Sequence, residues 1–170
     1  MNATAHPKSA LRPYLPSDAP VLADIFRASI EELTGDDYTQ GQQQAWAAAA
    51  DDLTEFAVRL GSRLTLIATL NGSPVGFAAL EGADTIDMIY VHPAVVGQGV
   101  GNMLIGALEK LAAARGAAKL VVQASGSASS FFQRHGFVAQ TRNSVLRGDE
   151  WLANTTMEKK LAAGGPEKPS

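Results

Sequence analysis

The segment from Thr85 to Ser125 restricts the fold more than any other stretch of this chain. "TIDMIYV" reads as a strand, "VVGQGVGNML" as a glycine turn opening a helix, and "KLVVQA" as a second strand. A strand–helix–strand unit of this length joins parallel neighbours, which no tight hairpin can do. The crossover of such a unit is right-handed in nearly all folds. Its helix, from about Gly99 to Arg115, carries Met103, Leu104, Leu108 and Leu111 at helical spacing and stops at Gly116. Glycine is a usual residue just past a helix end.

The flanks add antiparallel strands and short helices. A strand is predicted around Ala10–Tyr14. A helix follows with Ser17 placed to cap it and Val21, Leu22, Ile25, Phe26, Ile30 and Leu33 at helical spacing. Thr39 and Gln42 form a capping-box pattern before a short helix containing Trp46, and "DDLTEFAVRLG" predicts another helix closed by Gly61. Asn71-Gly72 between two strand-like runs is a strong hairpin signal. "SASSFFQRHG" predicts a short helix, and the chain ends in two strands turning near Gly148. The expected class is α/β (α+β): a mixed six- to seven-stranded sheet flanked by four to five helices. Residues 10–162 are expected to form one domain between flexible ends, 1–9 and 163–170. A division near Gly61 is disfavoured, because the first 60 residues would hardly bury a core alone.

Composition narrows the function classes. Apolar residues make up 46% of the 170 and charged residues 18%, ordinary for a globular domain. A formal net charge of −3 without Lys/Arg runs gives no case for nucleic acid or a membrane surface. No apolar run approaches transmembrane length, and the N-terminus lacks a signal-peptide layout, so a cytoplasmic location is expected. Cysteine is absent, which removes disulfides, a thiolate nucleophile and a Cys-based zinc site. His6, His92 and His135 are too scattered for a metal cluster, and no metal is expected.

Gly97, Gly99 and Gly101 suit a turn that brings backbone amides close to a phosphate at a helix N-terminus. A Walker A loop would need Gly-Lys-Ser/Thr, but Asn102 follows Gly101. A dinucleotide fold would show G-x-G-x-x-G and an acidic residue closing the next strand. Here the spacing is G-x-G-x-G, and the next strand ends "VVQAS".

The stretch Val96, Gly97, Gln98, Gly99, Val100, Gly101 resembles the [QR]-x-x-G-x-[GA] acetyl-CoA motif of the GNAT superfamily of N-acetyltransferases. A second stretch, "ASGSASSFFQRHGF", resembles that family's later N-x-x-A-x-x-x-Y-x-x-x-G-F, with Ala128, Gly136 and Phe137 in place. The resemblance covers roughly residues 10 to 161. It implies a sheet splayed between "TIDMIYV" and "KLVVQA", with the pantetheine arm in the gap. Main-chain groups of Ile89, Tyr90 and Val91 would pair with that arm, and amides from Gly97 to Asn102 would hold the pyrophosphate.

Three positions depart from the family pattern. Val96 replaces Arg or Gln, Ser125 replaces the Asn beside the pantetheine, and Phe132 replaces the Tyr that often protonates the departing thiolate. Losing that acid is the smaller penalty. A lysine-like amine costs roughly 4–5 kcal/mol to make neutral at pH 7, and a thiolate about 2 kcal/mol to leave unprotonated.

The resemblance implies an acyl-CoA-dependent transferase that acetylates a primary amine, of a small molecule or a peptide, by direct attack in a ternary complex. Asp87 is the first candidate base: strand alternation predicts its side chain on the face of Ile89 and Val91. Its alternative role is a structural carboxylate satisfied by backbone or Arg donors. Glu81 is the second candidate, through a water, and Tyr90 or His135 could donate a proton. Tyr38, Gln43 and Trp46 resemble a pattern that lines the acceptor pocket in small bacterial relatives, while Trp46 could equally be a hydrophobic anchor. A homodimer through the final strands is expected. The other function weighed is an acyl-CoA-binding sensor or interaction module without turnover.

Overall fold

The computed structural model describes residues 8–162, and the expected flexible ends lie almost wholly outside them. Seven strands form one sheet: β1 (Ser9–Pro13), β2 (Leu64–Leu70), β3 (Ser73–Glu81), β4 (Thr85–Val91), β5 (Lys119–Ser125), β6 (Val138–Arg147) and β7 (Glu150–Lys160). Their order is β1-β2-β3-β4-β5-β7-β6, and only β4 and β5 run parallel. The helices are α1 (Ala19–Leu33), α2 (Gln40–Ala47), α3 (Leu53–Gly61), α4 (Val100–Ala114) and α5 (Ser129–Arg134). The expected mixed sheet, with its single strand–helix–strand crossover, is therefore present.

Alternation along the central strands builds a core on each face. Ala78 and Leu80 of β3 pack with Leu104, Ile105 and Leu108 of α4. Phe77 and Ala79 face the other way, against Phe26 and Ile30 of α1 and Phe56 and Leu60 of α3. The β2–β3 turn has Asn71 at φ 51° and Gly72 at φ 86°, the left-handed pair that a two-residue hairpin demands. At α2 the capping box is complete: Thr39 Oγ1 accepts the Gln42 amide at 3.1 Å, and Gln42 Oε1 accepts the Thr39 amide at 2.9 Å.

Ser17 does not cap α1. It lies in a single 3₁₀ turn, Pro16–Asp18, and the helix starts at Ala19. Asp18 has the local role instead. Its Oδ2 accepts the Leu15 amide at 2.8 Å, and both its oxygens take hydrogen bonds from the Arg12 guanidinium at 2.9 and 2.8 Å. That guanidinium holds the Asp18 carboxyl below its ordinary pKa despite burial, which pushes the other way.

Gly76 sets how closely α4 approaches the sheet. A Cβ there would lie 3.0 Å from the Tyr90 carbonyl oxygen, 3.0 Å from Val100 and 3.3 Å from Leu104. Gly76→Ala is therefore expected to cost about 1–3 kcal/mol through overpacking. Urea unfolding should show a lower midpoint, and an unchanged one would mean that α4 moves freely.

Candidate active site

The parallel seam between β4 and β5 is short. Thr85 pairs with Val121 and Ile86 with Val122, and the pairing then ends. The cause lies on the other side of β4. Met88 pairs with Ala79 and Ile86 with Leu80, leaving Asp87 as an extra residue, a β-bulge. Bulges bend the strand that carries them. Beyond the bulge β4 leaves β5, and a cleft of about 800 Å³ opens between them.

The bulge also reverses one sequence expectation. Ile89 and Val91 pack toward the α4 core, whereas Asp87 points at α3, because the extra residue shifts the alternation by one. The His92 amide donates to the Val75 carbonyl of β3 at 2.8 Å. Alternation then turns the main-chain groups of Tyr90 toward β3 and those of Ile89 and Val91 into the gap. Of the three expected main-chain contacts, two are open to a ligand.

At the mouth of the cleft, Gly97 and Gly99 take φ of 86° and 85°, the left-handed region in which only glycine sits without strain. A Cβ at either would meet nothing within 4 Å, so the approach to their backbone is open. The first backbone bond of α4 is Met103 N–H to the Gly99 carbonyl at 3.0 Å. The amides of Gly97, Gly99, Val100, Gly101 and Asn102 take no acceptor among the described residues. This is an anion cradle at a helix N-terminus, and it fits a pyrophosphate. Val96 borders the cleft with an aliphatic side chain, whereas the Gln98 side chain lies off its wall. Asn102 reaches His135, Oδ1 to Nε2 at 2.8 Å.

Further in, Ser125 faces the cleft, but its Oγ accepts the Ala128 amide at 3.1 Å and so braces the turn into α5. Phe132 reaches the cleft wall with one edge while packing against Phe131 and Phe137. It has no proton to give.

The opposite wall is aromatic and charged. Asp87 is gripped by Arg59, Nε to Oδ2 and Nη2 to Oδ1, both at 2.9 Å, and Arg63 Nε adds a contact at 3.3 Å. The Arg-held alternative describes this geometry. Glu81 is freer: half-exposed, with one ion pair to Arg63 at 3.6 Å. Tyr90 contacts Phe26 edge-on at 4.7 Å, and its hydroxyl accepts the Trp46 indole N–H at 3.2 Å. Burial pushes the Tyr90 phenol up to about 12, with the Trp46 hydrogen bond and nearby Arg charges acting against it.

The three acceptor-side candidates separate. Trp46 lines the cleft beside Tyr90. Tyr38 also borders it, yet its hydroxyl is fully used, accepting the Gly126 amide at 2.9 Å and donating to the Ala153 carbonyl at 2.7 Å. Gln43 is off the wall: its Nε2 donates to Ile30 O and Thr34 Oγ1, tying the end of α1 to α2. Arg59, Arg134 and Arg147 line the cleft without having been singled out, since no local pattern distinguishes them from solvated surface cations.

Residues 34–161 match the acetyltransferase (GNAT) domain family. An uncharacterised N-acetyltransferase of Escherichia coli, YafP, is 30% identical over 150 residues, covering 88% of this chain and 95% of the relative. A GCN5-related N-acetyltransferase of Rhodopseudomonas palustris superposes with TM-score 0.89 at 61% identity, covering 95% of this chain and 99% of the other. The PaiA N-acetyltransferase of Thermoplasma acidophilum, solved with coenzyme A, shares the fold at TM-score 0.75 and 17% identity, over 90% and 99% of the two chains. This chain belongs to the GNAT family of acyl-CoA-dependent N-acyltransferases.

The partly buried Tyr90 phenol has a measurable consequence. Tyr90 keeps its proton in the fold up to about pH 12, whereas the unfolded chain loses it near pH ~10. Its contribution is therefore complete below pH ~10 and is lost as pH rises through about 12. Tyr14 and Tyr38 are raised in the same direction, so they add to the decline. Denaturant unfolding between pH 9 and 11 should show stability falling with pH, and falling less steeply in Tyr90→Phe. Equal slopes would mean that the phenol is not shielded.

Proposed function

We propose that the cleft binds acetyl-CoA and that the enzyme transfers its acetyl group to a primary amine held between α1, α2 and the β6–β7 side. The single observation behind this reading is the set of amides of Gly97, Gly99, Val100, Gly101 and Asn102, unpaired among the described residues, at the mouth of the β4–β5 gap. Those amides would hold the pyrophosphate, and the open main-chain groups of Ile89 and Val91 would align the pantetheine arm. Bound there, acetyl-CoA supplies the acetyl group as a thioester.

The chain's own groups then divide the remaining work. With no cysteine to carry an acetyl group, the amine attacks the thioester carbonyl directly, and positioning supplies most of the acceleration. Glu81 is the base in this reading, taking the amine proton through a water. Asp87 is less suited, because accepting a proton would break its charge-assisted bonds to Arg59, each worth roughly 1.5–3 kcal/mol. It fixes the guanidinium instead. Tyr90 acts as a hydrogen-bond donor and not as an acid, since moving a proton from a phenol at about 12 to a thiolate is uphill. The thiolate leaves unprotonated past Phe132, at a cost of about 2 kcal/mol at pH 7. β6 forms a free sheet edge, which supports a homodimer joined there.

Asn102→Asp tests the cradle without endangering the fold. A carboxylate in the first turn of α4 favours the helix by about 0.3–1 kcal/mol and can keep the contact to His135. It should repel the pyrophosphate. Calorimetry is expected to show acetyl-CoA affinity falling roughly tenfold or more with the melting temperature held or raised. Unchanged affinity would remove the pyrophosphate from this turn.

The base is tested by thiol release across an amine panel. Glu81→Gln should lower kcat by about 10²-fold or more. Asp87→Asn should chiefly lower stability, by leaving Arg59 without its partner. Should the two variants exchange these outcomes, Asp87 would be the base.

A further inference from the structure

Among the described residues, Arg147 is a cleft-lining charge on the acceptor side without a counterion. It lies at the end of β6, on the sheet face that also presents Val145 and, across β7, Leu152, and all three line the cleft. The other charges on this wall have partners, Glu81 the weaker one. Arg59 is bound by Asp87, and Glu81 pairs with Arg63. No carboxylate among the described residues lies within 4 Å of Arg147. Among the described residues its one side-chain hydrogen bond is a long one, 3.4 Å, to the adjacent Leu146 carbonyl. Glu150, its register partner on the hairpin, turns its carboxylate toward Gly41 of α2 instead. Arg147 is exposed to solvent and borders the cleft.

Apolar side chains line the same cleft as these charges. Ile30 and Leu33 of α1, Trp46 of α2 and Leu152 of β7 are among them. A guanidinium has a planar fork of donors that matches a carboxylate two bonds at a time. The Glu81 carboxylate, on the same cleft, suits an amine.

We infer that the acetyl acceptor is an amino-acid-like molecule whose amine lies toward Glu81, whose carboxylate lies on Arg147 and whose apolar side chain packs against Ile30, Leu33, Trp46 and Leu152. Polyamines and other acceptors with several cations fit poorly, because they would bring positive charge against Arg147. This assignment rests on reading the cleft as an acetyltransferase site and specifies the substrate class for it.

The test is binding, which needs no turnover. Calorimetry on the CoA-loaded and the ligand-free protein would compare leucine, methionine and phenylalanine with their amides and their decarboxylated amines. The acids are expected to bind at least roughly tenfold tighter than either matched partner. Arg147→Gln should abolish that preference while leaving acetyl-CoA affinity unchanged, and Arg147→Lys should restore part of it. Thiol release should show the same loss as a rise in KM with little change in kcat. Equal binding within each matched set, a preference that survives Arg147→Gln, or no binding of any acid would overturn the assignment. Failure of acetyl-CoA to bind would instead defeat the acetyltransferase reading, and the carboxylate preference would still be read on the ligand-free protein.

Discussion

The extra residue at Asp87 sets the geometry on which the cleft depends. One bulge ends the β4–β5 pairing after two residue pairs and rotates the rest of β4 by one position. Without it, β4 and β5 would continue as an ordinary parallel seam, and the main-chain groups of Ile89 and Val91 would be consumed by sheet hydrogen bonds. With it, those groups face a gap. The side chain at the bulge is a carboxylate, and a carboxylate turned toward α3 needs cationic partners. Arg59 and Arg63 supply them, so the irregularity that opens the site is also pinned to the helix layer beside it.

A second set of contacts fixes the cleft from the other side. Tyr38 sits 8% exposed between three chain segments, with its hydroxyl joining the turn after β5 to β7 and its ring edge-on to Trp46. Trp46 in turn donates to Tyr90 on β4. This aromatic chain bridges both sides of the gap. It lets β4 and β5 diverge while their far ends remain registered through α2. The two walls consequently differ in chemistry: backbone amides and glycine at the mouth, aromatic rings and paired charges within.

Much of this was legible in the sequence, because the signals are local. Alternation, helical spacing, the Asn71-Gly72 turn and the glycines before α4 act over a few residues, and each produced the element it implied. The Ser17 cap failed for a local reason too: the 3₁₀ turn after Leu15 made Asp18 the better placed acceptor, with Arg12 reaching it from β1. The face of Asp87 failed for a non-local one. A bulge is defined by the register of the neighbouring strand, and the sequence of β4 alone reads as unbroken alternation. Tyr38 and Gln43 were expected to line the acceptor pocket, but their hydrogen bonds reach Gly126, Ala153 and the end of α1, contacts that no spacing rule contains.

The sequence by itself determined the crossover, the phosphate-ready turn and the family, since these rest on backbone conformation and short-range pattern. Only the tertiary structure decided which charges are spoken for. A carboxylate or guanidinium looks alike wherever it stands in a sequence. Its chemistry depends on whether a partner from another element lies within hydrogen-bond reach. Asp87 has such partners, Glu81 has one at the limit, and Arg147 has no carboxylate among the described residues, although all three line a single cleft.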